Sequence, residues 1–247
     1  MNTITLTDGK KFYFETQGGI KGQHVVGFIA GLGDGPDDTW IGNSLRGQHI
    51  PLTMLGVSLV LPALFYWEEG ARSLFDSTLE GQTSDIREFV GYLREQGAAS
   101  VHLGAHSLAA LVAMAAADPE QVDSLMLYDP SHTPTGVMRD LEYVPSLQAY
   151  IRKHGAGAFY SKRFVDSVRQ ANSVEMAGNV RVPTLIVNGG KGTLWPGGKE
   201  YKQILARNGV PVEHHVIPGA KHYFSAPEHI SQLLLHTTEW LAKQIRR

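Results

Sequence analysis

Short apolar runs rich in Val, Ile and Leu lie at Val25–Ala30, Val57–Leu61 and Val101–His106, in a chain whose further predicted strands are Ser124–Tyr128, Thr184–Val187 and Val212–Ile217. Runs of that length and composition predict strands buried on both faces. Stretches with helical spacing lie between them. Thr83 or Ser84 caps a predicted helix with Ile86, Phe89, Val90 and Leu93 on one face and Gly97 as its stop. Leu108–Ala117 is Ala, Leu, Val and Met, ended by Asp118-Pro119; further helices are predicted at Gly198–Asn208 and Ile230–Ile245. The last carries Ile230, Leu233, Leu234, Leu241 and Ile245 on one face. Ahead of this alternation, Thr3–Thr7 and Phe12–Thr16 flank the turn signal Asp8-Gly9 and predict an antiparallel hairpin. After Val25–Ala30 comes a glycine-rich loop, Gly31-Leu32-Gly33-Asp34-Gly35, and then Asp37, Asp38 and Thr39 as N-caps for a helix near Trp40.

Strands alternating with helices predict an α/β fold, a mostly parallel sheet of about eight strands flanked by helices. One single domain, 1–247, is expected. Residues 130–182 break the alternation. They predict a small helical cap inserted within the domain, with helices at Leu147–His154 and Ser161–Val174. Such folds place ligands in the loops at the carboxyl ends of their parallel strands.

Composition narrows the chemistry. The formal net charge is -2, which leaves no basic footprint for nucleic acid or a membrane surface. The chain has no cysteine, which removes disulfides, thiolate metal sites and a thiol nucleophile. The opening residues MNTITLTDGKKF lack an apolar signal region, so a cytoplasmic protein is expected.

In Val101–Ala117 a strand runs directly into a helix with Ser107 at the corner. A corner that tight strains its central residue and pushes the side chain outward, and it needs small neighbours, here Ala105 and Ala109. The alternative is a buried strand followed by a core helix that Ser107 merely caps.

The stretch Ala105-His106-Ser107-Leu108-Ala109 resembles the nucleophile elbow of the α/β-hydrolase fold, G-x-S-x-G, with alanine at both glycine positions. The resemblance extends over nearly the whole chain. Pro218-Gly219-Ala220-Lys221-His222-Tyr223-Phe224, between the last strand and last helix, resembles the family's catalytic-histidine loop. It implies His222 as the base for Ser107. The family's oxyanion donors fall on the backbone N–H groups of Leu108 and of Leu32, the latter in Ala30-Gly31-Leu32-Gly33.

The third catalytic position departs from the pattern. The usual Gly-x-x-Asp after the seventh strand puts Gly192 where the acid belongs, and no Asp or Glu lies between Arg181 and Glu200. Some members place the acid after the sixth strand, which here is Asp129. The alternatives are a turn role for Asp129 before Pro130, and a dyad with a water or the Asn188 amide behind His222.

The resemblance implies a serine hydrolase cleaving an ester or thioester through an acyl-enzyme on Ser107, acting on a small-molecule acyl substrate without cofactor or metal. A serine at the elbow argues against haloalkane dehalogenation. Two other readings stand beside it: a binding protein or degenerate hydrolase, and a lyase or cyclase of a biosynthetic pathway. Remaining residues carry less. His106 reads as packing, His214 and His215 point to opposite faces of a strand, and His229 and His236 read as solvated. Asp34, Asp37 and Asp38 read as caps. Tyr66, Trp67, Tyr160, Phe164 and Trp195 read as core or pocket lining.

Overall fold

The computed structural model describes residues 1–31, 52, 55–66, 68–73, 75–133, 138, 141–152 and 159–246. The expected hairpin forms from β1 (Asn2–Thr5) and β2 (Lys11–Gln17), paired antiparallel around a turn in which Gly9 has φ 81°. The apolar runs then become β3 (His24–Ile29), β4 (Val57–Ala63), β5 (Ser100–His106) and β6 (Ser124–Tyr128). After an intervening segment come β10 (Thr184–Gly189) and β11 (Val212–Ile217). These form one eight-stranded sheet in the order β1-β2-β4-β3-β5-β6-β10-β11. β2 pairs antiparallel with β4, and every pairing from β4 to β11 is parallel. β4, β5, β6 and β10 are buried at every position, as continuous apolar runs require.

Two apolar layers cover the sheet. On one side lie α1 (Leu79–Glu95) and α2 (Ala109–Ala116), and on the other α6 (Pro227–Ile245) buries Leu233, Trp240 and Leu241. α1 begins earlier than its periodicity predicts. Thr78 is the N-cap, its Oγ1 accepting from Gly81 N–H, while Thr83 sits buried inside the helix. The helix predicted at Gly198–Asn208 is α5 (Trp195–Arg207), which starts sooner because Pro196 suits the first turn. Among the described residues no helix is long and apolar enough to cross a membrane.

Residues 130–182 differ most from expectation. The described part of the helix predicted at Leu147–His154 is instead the end of a single 3-10 turn, Pro145–Leu147, followed by a strand, β8 (Ala149–Arg152); Lys153 and His154 lie outside the described residues. Gln148 at φ 48° leaves the right-handed region and stops the turn from continuing. β8 pairs antiparallel with β7 (Leu141–Val144) and β9 (Phe159–Ser161). Tyr143 packs across the pair against Tyr150, the rings tilted and 5.0 Å apart, the kind of cross-strand contact aromatic residues make in strands. The helix predicted at Ser161–Val174 is broken in two, α3 (Lys162–Gln170) and α4 (Ser173–Asn179). Ala171 is extended at the break and Asn172 recaps the chain by accepting from Glu175 N–H. The segment is thus a small sheet plus helices rather than helices alone. It is anchored on the main core by buried Phe164, Val165 and Val168 and by Leu79 N–H donating to Ser167 Oγ.

One buried ion pair ties the hairpin to α1. Arg72 reaches Asp85 through two hydrogen bonds of 2.5 and 2.7 Å and donates a third to Asp8. The Asp85 side chain is 2% exposed. Arg72→Met leaves that carboxylate buried without its counter-charge and is expected to cost about 3–5 kcal/mol of unfolding free energy, measured by urea denaturation.

Candidate functional site

Four strand ends on one edge of the sheet carry the site. β5 ends at His106 and the next residue, Ser107, has φ 58°. That left-handed corner, with α2 starting at Ala109, matches the expected elbow. Ala105 and Ala109 are buried on either side of it. β6 ends at Tyr128, and Asp129 follows at φ 42°. Hydrogen bonds knit the two corners: Ser107 N–H donates to the Tyr128 carbonyl, Ser131 N–H to the Ser107 carbonyl, and Asp129 N–H to the Val187 carbonyl.

The loop after β11 brings His222 to these corners. Phe224, fully buried at φ 50°, anchors it. Gly189 at the end of β10 admits the loop's backbone, since a Cβ there would lie 2.8 Å from the carbonyl oxygens of both Ala220 and Lys221.

The three side chains meet in a line. His222 Nε2 is 3.0 Å from Ser107 Oγ, and His222 Nδ1 is 2.6 Å from Asp129 Oδ2. A carboxylate only accepts, so Nδ1 carries the proton of that contact, and in the neutral ring Nε2 is left to accept from the hydroxyl. Asp129 is fully buried, and its other oxygen accepts from Asn188 Nδ2 at 2.8 Å and Gly189 N–H at 3.2 Å. The His222 side chain is 30% exposed, so the line runs from a buried carboxylate to a partly open hydroxyl.

The Gly192 gap has a geometric explanation. A Cβ on Gly192 would lie 3.4 Å from Asp129 Oδ2. Position 192 and the carboxylate after β6 therefore adjoin in space. Asn188 stands behind Asp129 rather than behind His222.

Leu108, the residue before α2, makes no backbone N–H hydrogen bond to another described residue. Leu32, Asp34, Asp37, Asp38, Trp40 and Trp67 lie outside the described residues. An apolar cleft beside Leu108 is lined by Gly31, Leu64, Phe65, Gln82 and Phe164. Phe164 thus both packs in the core and lines the cleft, whereas Tyr66 stacks on Tyr13 at 4.8 Å and Tyr160 is buried against Phe164. Trp195 is 40% exposed.

His106 contributes more than packing. Its Nε2–H donates to the His222 carbonyl at 3.0 Å and its ring lies 4.5 Å from the His222 ring. Burial first, and the His222 charge second, hold His106 at about 3. Burial likewise holds His102, bridged between Ser100 and Ser124, at about 4. Unfolding returns both to about 6.5, where they bind protons that the folded form refuses. Stability is therefore expected to fall as pH drops from about 6.5 toward 3, with His106→Phe flattening the slope. Urea midpoints at pH 7 and below pH 5 check this.

His215 and His214 do point apart. His214 Nε2 meets Asn188 Oδ1 at 2.9 Å, while His215 stacks on His236 at 4.0 Å. His236 is thus half-buried against a ring rather than solvated. Among the described residues no group of three or more His, Asp or Glu is placed to hold a metal ion.

The strand order, the strained serine after β5 and the histidine loop before the last helix define the α/β-hydrolase fold. Solved structures agree. Est1E from Butyrivibrio proteoclasticus with ferulic acid bound superposes with a TM-score of 0.79 at 17% identity, covering 100% of both chains. Mouse alpha/beta hydrolase domain-containing protein 10 gives 0.73 at 14% identity over 98% of each chain. A thermophilic esterase from Thermogutta terrifontis gives 0.66 at 18% identity, again over 98% of each. No family model and no curated protein matches the sequence.

Proposed function

We propose that this chain is a serine hydrolase that cleaves a carboxylic ester or thioester. The observation that carries the reading is the unbroken Ser107–His222–Asp129 line at 3.0 and 2.6 Å, on a serine with a left-handed backbone. His222 Nε2 takes the Ser107 proton as Oγ attacks the substrate carbonyl. Asp129 fixes the tautomer that leaves Nε2 free and stabilises the imidazolium that forms. The Leu108 N–H, beside the positive end of α2, receives the oxyanion, with the Leu32 N–H assigned as the second donor. His222 then protonates the leaving group, and water, activated by the same nitrogen, releases the acid. Residues 130–182 act as a cap that brings Phe164 beside Leu108. The fold neighbours fit this class: they include esterases and a thioesterase domain from the curacin biosynthetic pathway.

The test is rapid quenching with p-nitrophenyl acetate, read by intact mass and peptide mapping. The reading expects a burst of nitrophenolate with an acetyl group on Ser107. Hydrolysis with no adduct at Ser107 contradicts the covalent mechanism, and a folded protein inert to every ester and thioester favours a binding protein. Ring closure or elimination in place of free acid favours a cyclase or lyase.

A further inference from the structure

We infer that Asn188 and His214 are positioning residues for Asp129, extending the hydrogen-bond line from Ser107 through the sheet to the edge strand β11. The inference rests on the assignment of Asp129 as the acid. β10 and β11 pair in parallel with Ile186 opposite His214, so Asn188, two residues on from Ile186, shares a face with His214. His214 Nε2 lies 2.9 Å from Asn188 Oδ1, and Asn188 Nδ2 lies 2.8 Å from Asp129 Oδ1.

Each proton in this chain is fixed by the acceptor-only carboxylate. Asp129 Oδ1 needs donors, so the NH₂ end of Asn188 faces it. The Asn188 oxygen therefore faces His214, and His214 must carry its proton on Nε2. Protonating His214 would leave that donor in place. Asn188 is fully buried and both ends of its amide are engaged in this chain.

Helix α5 is shaped around the same amide. A Cβ on Gly198 would lie 1.9 Å from Asn188 Oδ1 and 3.1 Å from His214 Nε2. Only a residue without a side chain lets α5 cross here. Asp129 thus has a support built from β10 and β11, with room left for it by Gly198 of α5.

The roles are tested on Asn188→Ala, His214→Phe, His214→Gln and Gly198→Ala. Two readouts are used: p-nitrophenyl acetate kinetics, and the proton resonance of His222 Nδ1–H, which reports on its bond to Asp129. Loss of the Asn188 donor is expected to lower kcat about 10–100-fold with KM unchanged, because the reacting groups lose alignment while Asn188, buried behind Asp129, does not touch the substrate. His214→Phe and Gly198→Ala follow in the same direction, and all three shift the His222 resonance. His214→Gln, whose amide N–H replaces the lost donor, restores both kcat and the resonance. An unchanged His222 resonance in Asn188→Ala and His214→Phe overturns the proposal, as does a loss of activity that tracks only thermal stability. If Asn188→Ala does not fold, the His214 pair decides. If the native protein neither turns over nor labels, the hydrolase reading fails, while the resonance still decides whether Asn188 and His214 hold Asp129.

Discussion

Ser107→Ala is expected to lower ester turnover by about 10⁶-fold while leaving the fold intact. The loss is large because, among the described residues, no other hydroxyl is hydrogen-bonded to His222 Nε2. Asp129 is bonded at the opposite ring nitrogen, and the His106 ring donates to the His222 carbonyl. Alanine is also the residue that flanks the corner at 105 and 109, so the substitution adds no bulk. Steady-state kinetics with p-nitrophenyl acetate, alongside circular dichroism, measure it. Turnover within tenfold of the native protein would mean that another group carries the reaction.

Asp129→Asn is expected to cost about 10⁴-fold in kcat, and the surrounding hydrogen bonds say why. Oδ1 accepts from Asn188 Nδ2 and Gly189 N–H, so an amide at 129 must keep its oxygen there. Its NH₂ then faces His222 Nδ1, which must become an acceptor. The proton moves to Nε2, and the ring can no longer accept from Ser107. The position of the acid is testable separately. Gly192→Asp in the native background sets a second carboxylate against Asp129, 3.4 Å from the new Cβ, and like charges there raise one pKa and lower kcat. Gly192→Asp combined with Asp129→Ala is expected to recover part of the rate lost in Asp129→Ala alone, because truncation at 129 vacates the place beside His222 that position 192 adjoins. The pair of variants is read by the pH dependence of kcat/KM.

Much of this architecture is legible in local sequence. The buried strands announce themselves as unbroken apolar runs, and the strand-to-helix junction at Ser107 leaves room for little besides a tight corner. Asp129 and His222 each follow a strand that could be placed by the same rule. The illegible parts depend on tertiary neighbours. Tyr150 and Ile151 sit in a stretch that scans as a helix, and pairing with β7 together with the left-handed Gln148 turns it into a strand. Asn188 has no local mark distinguishing a support for Asp129 from a dyad partner for His222. The difference arises from the parallel pairing that sets β10 between β6 and β11. His106 reads as core in the sequence because nothing local shows the His222 carbonyl, 116 residues away, arriving at its Nε2. Gly198 reads as an indifferent helix residue until the Asn188 amide is placed beside it.

The proposed mechanism stands or falls on whether Ser107 is an activated nucleophile. Fluorophosphonate labelling with intact-mass readout, on the native protein and on Ser107→Ala, addresses it without knowledge of the substrate. One adduct per chain is expected on the native protein, none on Ser107→Ala, and slow labelling on Asp129→Asn. A folded native protein that takes up no label, or a Ser107→Ala protein that labels as fast as the native one, would contradict it.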